Sequence, residues 1–231
     1  MANPLAATAP SGEMNATFEI EQQEYFEGET GYVDPRHPTA RAFAFPKLEY
    51  ILSQLSSIQT VLDVGAGNGT FTYYWQAHVE TVEGIELSYN LISQSPCVDR
   101  LRHGNVYNLP YAENAFDLIF ESNLLHHLAH PVRALAEMKR VARKYVVCLE
   151  PNRNNPLMFA FASLCAVERK TLKFSPRYLR QLMNQVGLTR TALRTTGMIS
   201  QHRTPPWILP LLKPFDRSFP LGMYTIAIAK K

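Results

Sequence analysis

Three glycines at alternate positions, Gly65, Gly67 and Gly69, follow directly on the apolar run Val61-Leu62-Asp63-Val64, which a single acid interrupts. Glycines so spaced let a ligand approach the backbone without meeting a Cβ atom, while the N–H groups at the start of the next helix stay free to bind it. The stretch reads as a nucleotide-like binding loop. A dinucleotide fingerprint places its third glycine three residues after the second. Here that position falls on Thr70 and Gly69 comes two after Gly67, which counts against a nicotinamide dehydrogenase. Further on, Gly84-Ile85-Glu86-Leu87-Ser88 ends a second apolar run in an acid, and a carboxylate there can accept from both hydroxyls of a ribose. His126 and His127 are the candidate bases: an imidazole, with an ordinary pKa of about 6.5, can take a proton from a hydroxyl, or it can simply pack and orient its loop.

Positioning such groups needs a parallel sheet, and the pattern supplies one. Short apolar runs at 60–64, 81–85, 100–103, 116–121, 145–149, 188–193 and 224–229 read as strands. Helical spacing covers 70–77, 88–95 with Ser88 as N-cap, 131–143 with Pro131 in the first turn, and 175–186 stopped by Gly187. Phe43, Leu48, Ile51 and Leu55 mark a further helix at 38–55, with a kink or fresh start expected at Pro46; it is expected to pack on the sheet edge and to carry no chemistry. Strands alternating with helices give a doubly wound α/β fold.

These motifs together resemble the class I S-adenosylmethionine-dependent methyltransferases. The likeness continues through Gly104-Asn105-Val106-Tyr107-Asn108-Leu109-Pro110, Asn114-Ala115-Phe116-Asp117-Leu118-Ile119 and Ser122-Asn123-Leu124-Leu125-His126-His127-Leu128, which look like the small-molecule, type 11 branch. The resemblance covers about residues 58–150 and implies a Rossmann-like sheet of about seven strands, the last of them antiparallel beside the fifth. It implies S-adenosylmethionine as cofactor, with Gly65, Ala66, Gly67 and Gly69 closing around its methionine end and Asp63 orienting either that loop or the amino group. It also implies Glu86 on the ribose, Leu87 on the adenine face, Val106 at the adenine edge, and Glu121 and Ser122 beside the cofactor. Asn105 stands where the family usually has an acid, and its uncharged oxygen accepts more weakly. For the acceptor the resemblance points to Asn123 and to an N-terminal segment supplying Tyr25 or Tyr32, although an acidic solvated arm would read the same. Asn152 after the fifth strand either lines the acceptor pocket or only ends the strand. The implied function is methyl transfer to a small-molecule or lipid-linked acceptor, oxygen favoured; the alternative is a cofactor-binding partner or sensor without transferase activity.

Composition is that of an ordinary globular chain, and no stretch approaches the about 18 uninterrupted apolar residues of a membrane span, so a cytoplasmic protein is expected. Residues 1–17 are expected to be a disordered tail, 18–57 an N-terminal cap segment and helix, and 58–231 the core. The net charge of +3 hides a division: residues 1–150 hold 18 of the 20 acids, whereas residues 151–231 hold 13 of the 23 basic residues. Either an anionic acceptor or surface is met by the basic third, or the two halves neutralise one another. The proline-punctuated apolar insert at 197–221, with Trp207, is a candidate for substrate or peripheral membrane contact. Its Thr204-Pro205-Pro206-Trp207 imitates a motif of nucleic-acid amino methyltransferases but lies after the wrong strand, and no nucleic-acid partner is expected. Cys97, Cys148 and Cys165 are read as free thiols. No metal is expected either, since His126, His127 and His130 have no carboxylate at a familiar spacing.

Overall fold

The computed structural model describes residues 20, 22, 24–28, 31–216 and 218–231; the expected tail at 1–17 lies outside them. Seven strands, β1 (Thr60–Val64), β2 (Thr81–Glu86), β3 (Leu101–His103), β4 (Phe116–Ser122), β5 (Ala142–Pro151), β6 (Thr189–Thr196) and β7 (Tyr224–Lys230), form one sheet in the order β3-β2-β1-β4-β5-β7-β6. Both pairings of β7 are antiparallel and the four others parallel. The fold is therefore the Rossmann-like one expected. The named α-helices are α1 (Pro38–Gln54), α2 (Thr70–Trp75), α3 (Tyr89–Ser93), α4 (Pro131–Val141), α5 (Pro156–Leu164), α6 (Pro176–Gln185) and α7 (Leu209–Leu212).

Successive strand residues point to opposite faces, and both faces are covered. Leu62, Val64, Ile119 and Val146 pack with Leu135 and Met138 of α4 and Leu179 and Leu182 of α6. Val61, Phe120, Val147 and Ile228 pack with Phe43, Leu48 and Ile51 of α1 and Phe71 and Trp75 of α2. So α1 lies across a face rather than along an edge, because its apolar side is wide enough to cover several strands. It also runs unbroken through Pro46, where the ring removes one N–H without ending the helix. One residue after that proline, Lys47 is buried in the core: its Nζ donates to Phe43 O (2.7 Å), lies 3.6 Å from Asp216 Oδ1 and sits 4.2 Å from the Phe43 ring centre. Burial lowers the Lys47 pKa to about 8 against the opposing pull of Asp216.

The strand ends differ most in β5, which runs on to Pro151, and a turn then leads into α5. The Asn155 side chain caps that helix by accepting from the Met158 N–H. Among the described residues, no helix is long and apolar enough to cross a membrane.

Candidate active site

The loops at the carboxyl ends of β1, β2, β3 and β4 surround one cavity of about 760 Å³, where the strand order reverses between β1 and β4. Gly65 and Gly67 line it with φ of 70° and 58°, and a Cβ on Gly65 would come within 2.8 Å of Leu124. Gly69 faces elsewhere: a Cβ there would meet Ser95 Oγ at 2.6 Å and Cys97 Sγ at 2.8 Å, so this glycine packs the start of α2 and does not line the cavity. Glu86 Oε1 accepts from the N–H groups of Leu87 (2.8 Å) and Ser88 (2.9 Å), and Oε2 accepts from the N–H of Gly67 (2.8 Å). Burial raises its pKa against those three donors. About one of a carboxylate's roughly four acceptor sites remains, so with the loop intact Glu86 has room for one ligand hydroxyl rather than two. Asp63 lines the floor and accepts from Thr72 Oγ1 (2.7 Å); burial, opposed by that bond, raises its pKa to about 7.

Ala66, Leu87, Asn105, Val106, Ser122 and Asn123 also line the cavity. Asn105 Oδ1 already accepts from the Tyr107 N–H (2.9 Å), so its first task is to hold its own turn. Glu121 does not line the cavity: it is wholly buried, and burial followed by the charge of Glu150 raises its pKa well above the ordinary value. Asn152 is also wholly buried, donating from Nδ2 to Gly222 O (2.8 Å) and accepting from the Asn154 N–H (3.1 Å); it ends the strand and does not line the pocket. Trp207 is 79% exposed and stands outside, whereas Ser200, Gln201, His202 and Arg203, at the start of the same insert, line the cavity. Tyr25 and Tyr32 line it as well.

The two histidines occupy contrasting surroundings. His126 Nδ1 lies 2.8 Å from Glu150 Oε2, and its Nε2 lies 3.4 Å from Glu168 Oε2. Burial disfavours the charged ring, but the two carboxylates outweigh it and lift the pKa to about 9, so His126 is an imidazolium at neutral pH. His127 Nδ1 lies 2.8 Å from Gln22 Oε1, and burial, then the charge of His126, lower its pKa to about 3. One ring already carries its proton and the other holds an added proton too weakly. Neither ring is poised to take up a proton at neutral pH. Glu168, on a distant loop, approaches both rings: one nitrogen of each ring and one Glu168 oxygen lie within 4.8 Å of one another.

Residues 62–149 match the family model of the methyltransferase domain. The matched stretch is a methyltransferase domain. An uncharacterized methyltransferase of Schizosaccharomyces pombe is 31% identical over 150 residues, 56% of this chain and 52% of the relative. The demethylmenaquinone methyltransferase of Bacillus licheniformis is 34% identical over 116 residues, 46% of this chain and 49% of the relative. This chain thus spans about half the length of these curated relatives. Among solved structures, an S-adenosylmethionine-dependent methyltransferase of Thermotoga maritima superposes with a TM-score of 0.64 at 18% identity, over 95% of this chain and 99% of the other. In this methyltransferase domain the bare backbone at Gly65 and Gly67, the remaining acceptor site on Glu86 and the carboxyl of Asp63 all face one space, which fits a nucleoside carrying an amino acid.

Proposed function

We propose that the protein is an S-adenosylmethionine-dependent methyltransferase whose acceptor is a small or lipid-linked molecule with an apolar body, an anionic group being tolerated and transfer to oxygen favoured. One observation carries this reading: the cavity floored by the glycine loop and Glu86 continues without a break to the apolar side chains Leu157, Met158, Phe161 and Met223. When bound, the cofactor supplies a methyl group already activated on a sulfonium. The protein's own work is then to orient and to exclude water. The backbone at Gly65 and Gly67 would admit the methionine end, Asp63 would face its ammonium group, Glu86 would hold the ribose, and Leu87 and Val106 would flank the adenine. Tyr25 and Tyr32 would close the opening. Arg203, which lines the cavity and lies 4.7 Å from the Phe161 ring centre, would meet a negative acceptor group.

The apolar wall adjoins the outside. Leu157 is at once cavity lining and 61% exposed, and α5 is joined to the insert through Arg203 on Phe161 and through Asn155 Nδ2 donating to Leu221 O (2.6 Å). Leu164, Trp207 and Leu211 are exposed on those two segments. Such side chains beside an acceptor cavity suit a lipid surface. Label transfer from methyl-labelled S-adenosylmethionine to apolar hydroxylated acceptors, offered free and in anionic vesicles, tests the function. Wild type should float with the vesicles and turn over the embedded acceptor faster, and Trp207→Ser with Leu211→Ser should lose both gains while retaining turnover of soluble acceptor. Flotation of the double variant equal to wild type would remove the lipid surface from the reading; cofactor binding without transfer to any acceptor would favour the partner or sensor alternative.

The Asp63 shift gives a pH dependence of defined sign. Its folded pKa, about 7, lies above the usual 3.8, so in the free protein the associated stability is complete below the ordinary value and is lost as pH rises through 7. A bound ammonium group favours the ionised form instead. Affinity for S-adenosylhomocysteine should therefore increase from pH 5.5 to 7.5, by at most about tenfold per pH unit below the Asp63 pKa, with proton release on binding near pH 6. Calorimetry in two buffers of different ionisation heat measures both, and an affinity that stays level or falls over that range would show that Asp63 does not face the cation.

A further inference from the structure

We propose that His126, His127 and Glu168 form a binding site for one divalent first-row transition ion, zinc in the first instance, in the wall of the cavity. The inference rests on the methyltransferase reading only for what the ion does, since ion binding can be measured without cofactor or acceptor.

The donors are two imidazoles and one carboxylate, a set suited to such ions, and all three residues line the cavity. His126 and His127 are held on the turn Leu125–His127 that follows β4, and Glu168 directly precedes the turn Arg169–Lys173. Two ligand atoms about 2.0–2.2 Å from a tetrahedral ion lie about 3.3–3.5 Å apart. His126 Nε2 and Glu168 Oε2 are 3.4 Å apart, already at that separation. The overall spread of 4.8 Å requires the third donor to close by on the order of 1 Å, within reach of a side-chain adjustment.

The supporting contacts are those that metal-bound histidines use. A ligating ring donates its other N–H to a carboxylate or carbonyl, which fixes the tautomer and aims the free nitrogen. Here Nδ1 of His126 meets Glu150 (2.8 Å) and Nδ1 of His127 meets the amide oxygen of Gln22 (2.8 Å); Nε2 of His126 faces Glu168 (3.4 Å), so an ion would take the place of the proton between them. Glu150 is itself fixed, accepting from the Leu125 N–H (2.8 Å).

Three protein ligands leave a fourth position toward the cavity. An acceptor hydroxyl bound there would become more acidic: its O–H bond breaks heterolytically, the proton passes to water, and the electron pair stays on oxygen for transfer.

The test uses the full chain, stripped with a chelator, desalted and titrated with zinc by calorimetry and metal analysis. One equivalent should bind in the micromolar range or tighter, magnesium should not compete, and cobalt should give visible d–d absorption. His127→Ala and Glu168→Ala should each weaken zinc binding at least about tenfold, and Glu150→Gln about 10–100-fold. Thermal unfolding monitors folding, with His127→Gln and Glu168→Gln replacing any alanine variant that does not fold. Absence of a stoichiometric ion in the wild type, or equal binding in the folded variants, overturns the site. Binding of S-adenosylhomocysteine is measured in parallel: its failure would remove the methyltransferase reading and leave the ion result standing.

Discussion

Replacing Lys47 with alanine is expected to destabilise the fold by about 3–5 kcal/mol, read as a lower denaturant midpoint, the usual loss when one member of a buried ion pair is removed. The expectation rests on surroundings that offer little in exchange. Lys47 is 1% and Asp216 6% exposed, and the ammonium spans the Phe43 carbonyl, the Asp216 carboxyl and the faces of Phe43 and Tyr224. Without it, Asp216 is left buried and uncompensated near Gly197, whose Cβ position would lie 2.9 Å from Asp216 Oδ1. Replacing both members by apolar residues, Lys47→Met with Asp216→Leu, should recover most of the loss, because the charges have to overcome desolvation that apolar packing does not incur. A single variant as stable as wild type, or a double variant no better than the single, would mean that the pair contributes little and that the aliphatic stem of Lys47 does the packing.

The second large effect concerns Glu86. Glu86→Ala should weaken S-adenosylhomocysteine binding by about 1–3 kcal/mol, roughly 5–150-fold, through the loss of charged hydrogen bonds. Two losses coincide: the hydroxyl acceptor disappears, and so does the carboxylate that binds the N–H groups of Gly67, Leu87 and Ser88 and keeps the glycine loop against β2. Glu86→Gln separates them. Its single carbonyl oxygen can keep part of the loop contacts, so a partial loss assigns the remainder to charge. Calorimetric affinity unchanged in Glu86→Ala would place the nucleoside elsewhere in the cavity.

Much of this architecture could be read from local pattern, and the reasons for the exceptions are physical. The strands, the glycine loop, the Ser88 cap and the Pro131 helix start are set by residues within a few positions of one another, so spacing alone announces them. Helix α5 went unseen because Pro-Leu-Met-Phe-Ala-Phe-Ala-Ser-Leu is apolar nearly all round and carries no amphipathic stripe. Lys47 lay hidden in its helix, since its counter-ion lies on the distant insert. Glu121 and Asn152 stand at the right strand ends, yet each turns toward a partner in the interior, and Gly69 packs against Ser95 and Cys97. His126 could be placed from sequence but not understood, because the carboxylates that decide its charge arrive from positions 24 and 42 residues away. Periodicity gives the face a side chain takes; it does not give the neighbour it meets there.

The sheet order has a consequence for assembly. β6 precedes β7 in the chain, yet β7 lies between β5 and β6. While the chain emerges from the ribosome, β6 therefore has no partner strand to join, and the open edge of β5 waits through the whole insert for Tyr224–Lys230 to arrive. Closure of this half of the sheet is a late and non-local step, and until it occurs two unpaired edges stand ready to accept a strand from another chain.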